Sequence, residues 1–226
     1  MNTAVDRSLL KSAFPFPGCN AAGALLPEVP ADLERCTTVA RYRQHQTIYF
    51  EGDSADAICQ VVEGCVMLYK LLPDGRRQVV ELLGQGDVFG FARGEERDCS
   101  AETLTDVRVR FIDRRSAERS CSFQRILARR MLIQFEAMHE HAVLLGRKSA
   151  MERVASFLLR LAPDTDQPVI SLPMTRQEIA DYLGLTIETV SRSFSELKRR
   201  GLIVLEKQDR VRITRFNAIE DLATAC

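Results

Sequence analysis

The stretch Met174 to Gly201, MTRQEIADYLGLTIETVSRSFSELKRRG, decides how the rest of the chain is read. It predicts two helices joined by a tight turn. Thr175 can cap the first, and Glu178, three residues on, completes a capping box. Ile179, Ala180 and Leu183 give that helix an apolar face, and Gly184 supplies the backbone freedom the turn needs. Thr186 can cap the second helix, which Gly201 then ends. Val190, Phe194 and Leu197, spaced by four and three, form a buried stripe along it.

The other face of the second helix carries Glu188, Ser191, Arg192 and Ser195, then Lys198, Arg199 and Arg200. The first three lie within about one turn of its start, where a recognition helix meets base edges in the major groove. Arg192 can donate two hydrogen bonds to a guanine, and Glu188 can accept one from a cytosine amino group. Lys198, Arg199 and Arg200 suit phosphates, which hold register without reading sequence. Any one of these residues alone would fit an ordinary charged surface helix. Caps, glycine turn and polar trio together point to double-stranded DNA.

Working outward, Leu202–Leu205 and Arg210–Thr214 flank Glu206-Lys207-Gln208-Asp209, a hairpin that makes the unit a winged helix-turn-helix. Before it, Val169–Leu172 reads as a short strand and Met151–Leu161 as a helix ended by Pro163. Ser122 to Leu145 reads as one long helix. Leu127, Met131, Gln134, Met138, His141 and Leu145 follow alternating gaps of four and three along it, a seam that implies a partner helix and hence a homodimer. Ile126 and Ile133, on an adjacent stripe, can serve the protein's own body. From Thr37 to Asp113 the pattern changes to short strands: Thr47–Phe50, Ile58–Val62, Val66–Leu71, Gln78–Leu83 and Val107–Asp113. Turns such as Glu51-Gly52-Asp53 and Pro73-Asp74-Gly75 separate them, as in a β-sandwich or small barrel. The expected fold is α+β, with a jelly-roll or barrel domain over 28–120, a dimerisation helix over 121–146 and the winged helix-turn-helix over 147–226. Residues 1–27, with Phe14-Pro15-Phe16-Pro17-Gly18, read as an extended arm.

Composition narrows the partners. Lysine plus arginine equals aspartate plus glutamate, 31 against 31, which argues against a protein that coats nucleic acid non-specifically. No N-terminal stretch joins a basic region to a long apolar run, and none approaches a membrane-spanning length, so a cytoplasmic protein with no membrane partner is expected. The seven cysteines, at 19, 36, 59, 65, 99, 121 and 226, show no C-x-x-C spacing, so neither a zinc ribbon nor a disulfide framework is expected. Cys99 and Cys121 are the candidates for redox chemistry; Cys59 and Cys65 alternate with strand residues as small buried thiols do. The three histidines, His45, His139 and His141, form no chelating set, since the last two point to different sides of a helix. No catalytic constellation, metal or cofactor is expected.

The order of barrel, long helix and winged helix-turn-helix, with the residues TRQEIADYLGLTIETVSR, resembles the CRP/FNR superfamily of bacterial transcription regulators over roughly Thr37 to Thr214. Glu51-Gly52-Asp53, Val62-x-Gly64 and Gly86-Asp87-x-x-Gly90 also match its barrel turns. Glu188, Ser191 and Arg192 are similar to the FNR-type E-x-x-S-R reading set. The resemblance therefore implies a palindromic operator of TTGAT-like half-sites. Arg192 and Glu188 would share the G·C pair, and Ser191 would touch a thymine. It also implies that Thr175, Arg176 and Gln177 lie against phosphates. Members that bind cyclic AMP carry a Gly-Glu turn and a later Arg-Ser-Ala. Here Phe91 follows Gly90 and Cys99 precedes Ser100-Ala101, so cyclic nucleotide binding is not expected even with Arg93 and Arg97 nearby. The N-terminal cysteine group of an oxygen-sensing iron–sulfur member is missing, and a cluster from Cys19, Cys36, Cys99 and Cys121 is not expected. What remains is similar to the FixK-like branch, which implies an activator in a low-oxygen or nitrogen-fixation programme that touches RNA polymerase. Pro73-Asp74-Gly75-Arg76 and Gly84-Gln85 are turns that could make that contact. The alternative is a redox- or ligand-responsive switch of the same fold.

Overall fold

The computed structural model describes residues 29–163 and 168–224. The arm expected over 1–27 lies outside the described residues. The chain resolves into two compact units, one of residues up to Lys70 with Val80–Ala137, the other of Leu71–Val79 with Met138 onward.

Among the described residues eight strands precede the α-helices: β1 (Thr37–Tyr42), β2 (Thr47–Tyr49), β3 (Ala57–Glu63), β4 (Val66–Leu71), β5 (Arg77–Leu83), β6 (Val88–Phe89), β7 (Ser100–Thr103) and β8 (Val107–Asp113). They form two four-stranded sheets, β1-β8-β3-β6 and β2-β7-β4-β5. The pair is jelly-roll-like rather than a closed barrel, because the terminal strands of neither order pair with each other. Strand alternation explains the packing. Cys59, Val61 and Val109 point into one buried cluster with Leu68, Leu83 and Phe89. Their neighbours Ile58 and Ile112 point the other way, into a second cluster with Leu33, Val88, Phe123 and Leu127. Two of the strands missing from the sequence reading, β6 and β7, lack an apolar run: one has two residues, the other is Ser-Ala-Glu-Thr. Cross-strand pairing to β2 and β4 holds β7 in place.

Asp113 ends β8 and caps α1 (Arg114–Arg119) by accepting from the Ser116 backbone N–H. The long helix follows as α2 (Cys121–Arg147), 27 residues and so about 40 Å. It does not present the expected seam as a unit. Leu127 and His141 are buried, and Gln134 is half-buried, donating to Glu81 Oε1 at 2.7 Å and to the Val88 carbonyl at 3.0 Å. Met131 and Met138 are exposed, and Leu145 is intermediate. The exposed apolar face is instead Met131, Leu132, Phe135 and Met138, with Leu132 65% exposed. At 100° per residue the two faces are separated by roughly 80° about the axis, so the predicted seam straddles the boundary between them.

The second unit contains α3 (Ala150–Leu161), β9 (Val169–Ser171), α4 (Arg176–Leu183), α5 (Ile187–Arg199), β10 (Ile203–Leu205), β11 (Arg210–Ile213) and α6 (Phe216–Thr224). Ser149 and Glu152 form a capping box at the start of α3. The last helix, absent from the sequence reading, packs on α3. Lys148 Nζ ties it down by donating to the Ala223 carbonyl at 2.6 Å and to Ser156 Oγ at 2.9 Å. Strands β9, β10 and β11 form a three-stranded sheet with β11 at its centre. Among the described residues no helix is long and apolar enough to cross a membrane.

Candidate nucleic-acid interface

The helix-turn-helix forms where local chemistry demands it. Thr175 Oγ1 accepts from the Glu178 N–H, and Glu178 Oε2 accepts from the Thr175 N–H at 2.7 Å, the two halves of a capping box. Gly184 sits at φ 61°, a left-handed cap that costs a side-chain-bearing residue far more than glycine. Thr186 accepts from the Thr189 N–H and starts α5. At its far end the Gly201 N–H donates to Lys198 O and the Leu202 N–H to Leu197 O, closing the helix on a left-handed glycine.

On α5, Val190, Phe194 and Leu197 are buried, as their spacing requires. Glu188, Ser191 and Arg192 are all exposed. The Glu188 carboxyl is held below the usual carboxylate range, first by its own backbone N–H at the helix start, then by the Thr186 hydroxyl and the pull of Arg192. Among the described residues the Arg192 guanidinium makes no hydrogen bond or ion pair. The trio therefore presents an acceptor, a hydroxyl and an unused five-donor fork on one surface.

The residues expected to meet phosphates are arranged less uniformly. Thr175 is exposed, but its hydroxyl serves the cap and donates to Glu178 at 2.9 Å. Gln177 is exposed and donates from Nε2 to Asp181 Oδ1 at 2.7 Å. Arg176 is half-buried, its Cζ 3.6 Å above the Phe194 ring centroid, and burial holds its pKa below the ordinary arginine value. Lys198 is exposed. Arg199 and Arg200 are exposed but both bond Glu196, Arg199 at 2.6 and 2.7 Å and Arg200 at 2.8 Å. Those bonds bring the Glu196 carboxyl down to about 2. The wing, residues 206–209 between β10 and β11, is exposed, with Glu206 bonded to Arg210 and Arg212.

Three features of the second unit were invisible to sequence reasoning. Asp181, nearly buried, takes Arg77 Nε on Oδ2 at 2.9 Å while holding Gln177 on Oδ1. Arg153 donates to the carbonyls of Leu145 and Leu183 at 2.7 and 2.8 Å, bolting α2 to the end of α4. His141 stacks on Tyr182, ring centroids 4.3 Å apart, and burial, with Arg160 and Arg153 nearby, pushes its pKa down to about 4.

The thiols correct one expectation. Cys99 is buried, and that burial, followed by the neighbouring Asp98 charge, pushes its pKa up to about 12. A thiol so protonated and enclosed does not suit redox sensing. Cys121 alone of the expected pair is exposed. Arg97 is buried too, donating to the carbonyls of Gly90 and Ala57 and lying over the Tyr49 ring. A side chain at Gly90 would collide with it. Arg93 is exposed.

Residues 152–222 match the Crp-like helix-turn-helix domain, and residues 39–122 match the cyclic nucleotide-binding domain. The nitrogen fixation regulation protein FixK of Rhizobium meliloti is 40% identical over 195 residues, covering 85% of this chain and 90% of that protein. The chain belongs to the FixK-like branch of the CRP/FNR family of transcription regulators. The transcriptional activatory protein AadR of Rhodopseudomonas palustris is 38% identical, over 92% of this chain and 90% of that one. The solved structure of FixK2 from Bradyrhizobium japonicum superposes with a TM-score of 0.74 at 38% identity, over 84% of this chain and 98% of that one. The CRP/FNR family comprises DNA-binding regulators, not enzymes. Helix α5, with its exposed trio, falls inside the matched helix-turn-helix domain.

Proposed function

We propose that this CRP/FNR protein is a homodimeric, cytoplasmic transcription activator that reads an inverted repeat of TTGAT-type half-sites and engages RNA polymerase. The carrying observation is the exposed trio on α5, with Arg192 free of any bond among the described residues. Arg192 and Glu188 divide the G·C pair, Ser191 meets a thymine, and Arg176, Gln177 and Lys198 take phosphates. Thr175 contributes through its backbone and cap, and Arg199 only after leaving Glu196. Activation is supported by the likeness to the transcriptional activatory protein AadR, and a nitrogen-fixation programme by the likeness to the nitrogen fixation regulation protein FixK.

The dimer rests on the Met131, Leu132, Phe135 and Met138 face, an apolar stripe along one side of a 27-residue helix. Two-fold symmetry then requires half-sites about one helical turn apart. The jelly-roll domain is read as working without cyclic nucleotide, a reading supported by buried Arg97 being committed to the carbonyls of Gly90 and Ala57. Footprinting of the purified protein, with no effector added, on genomic DNA tests the reading. The expected result is protection of TTGAT palindromes, lost with Arg192→Ala. Protection that ignores palindromy, or survives that substitution unchanged, would refute it.

A further inference from the structure

Arg176 is an awkward residue where it stands. It is the first residue of α4, at the end of a helix whose dipole already repels cations. It is half-buried, yet among the described residues it makes no hydrogen bond and no ion pair. It lies against the face of Phe194, 3.6 Å from its Cζ to the ring centroid. Phe194 itself is 2% exposed and comes from α5, on the stripe opposite the reading trio. A guanidinium stacked by its flat face keeps its edge free, and that edge is the part shaped for two parallel bonds to a planar or tetrahedral anion.

We propose that Phe194 is a positioning residue for DNA binding: its ring is the platform that aims the Arg176 edge at a backbone phosphate and ties that contact to the base-reading helix. The proposal rests on the reading of Arg176 as a phosphate contact. Its consequence is mechanical. The phosphate clamp of α4 rides on a side chain of α5, so phosphate grip and base reading move as one body. Rotamer freedom that a long arginine would otherwise lose on binding is lost already in the free protein.

The test is a double-mutant cycle read by DNA affinity against salt. Phe194→Leu keeps an apolar side chain in the core and removes the π face. It is expected to weaken binding about three- to tenfold on cognate and unrelated sites alike. In an Arg176→Ala background the same change is expected to cost less than about twofold, because the pair is already broken. Equal fold-losses in the two backgrounds would overturn the proposal. The underlying phosphate reading fails separately, if Arg176→Ala leaves affinity unchanged and the salt slope unreduced, where a loss of about 0.9 per half-site is expected. Should Phe194→Leu fail to fold, Arg176→Lys decides. Keeping the charge but not the planar, stacked fork, it is expected to hold the salt slope and lose about three- to tenfold in affinity; wild-type affinity would refute the platform.

Discussion

His141 offers the sharpest quantitative handle on the second unit. It is 6% exposed, stacked on Tyr182, and among the described residues neither ring nitrogen finds a hydrogen-bond partner. Burial dominates its lowered pKa, and the charges of Arg160 and Arg153 add to it. In the unfolded chain the imidazole has its ordinary 6.5, and in the folded chain burial pushes it down to about 4. The sign follows from linkage: the unfolded state binds the extra proton, so the stabilisation is complete above 6.5 and is lost as pH falls toward 4. The full displacement is worth about 3 kcal/mol, and the part spent between pH 7.5 and pH 5 is about 2 kcal/mol. For a chain of this size that is a fall of about 4–8 °C in melting temperature. The wild-type profile alone will not show it. Asp87, buried in the first unit with its pKa raised to about 7 by that burial, has the opposite sign and loses stability as pH rises between its ordinary value and 7. The assay is therefore a difference: thermal and urea unfolding of wild type and His141→Phe, which keeps a stacking ring but cannot titrate, at pH 7.5 and pH 5. The gap between them should shift by about 2 kcal/mol against the wild type on acidification. Parallel profiles would refute the assigned burial of the neutral imidazole.

Other outcomes follow from single contacts. Thr175→Ala removes one half of the capping box and should lower stability by about 1 kcal/mol in urea unfolding, with DNA specificity retained. Glu196→Gln releases Arg199 and Arg200 from their shared carboxylate. It should steepen the salt dependence of DNA binding by about 0.9 per freed contact, measured by titration across salt concentrations. Phe135→Glu puts a charge on the exposed stripe of α2 and should weaken dimerisation by about tenfold or more in sedimentation, whereas Gln134→Glu, on the half-buried side bonded to Glu81 and Val88, should leave the oligomeric state alone. Mild peroxide should leave DNA affinity unchanged, since Cys99 is enclosed and protonated; a loss that Cys121→Ser does not prevent would contradict that placement.

What the chain wrote plainly was whatever is settled within three or four residues. Thr175 with Glu178, the left-handed Gly184, the Thr186 cap and the buried stripe of Val190, Phe194 and Leu197 are all local, and all stand where the spacing put them. The exposure of Glu188, Ser191 and Arg192 follows, because a helix that buries one stripe must show the opposite one. Tertiary structure decided the rest. A seven-residue repeat on α2 marks a band of the helix but not which edge of that band its neighbours cover, so Gln134, bonded to Glu81 and Val88, and His141, stacked on Tyr182, turned inward and Phe135 outward. Cys99 reads like Cys121 in sequence and differs only because two sheets close over it. Arg77 reaches Asp181 across 104 residues, and Arg176 lies on Phe194 because two helices cross there. Such pairings depend on where separate elements come to rest against one another, and no local spacing encodes that.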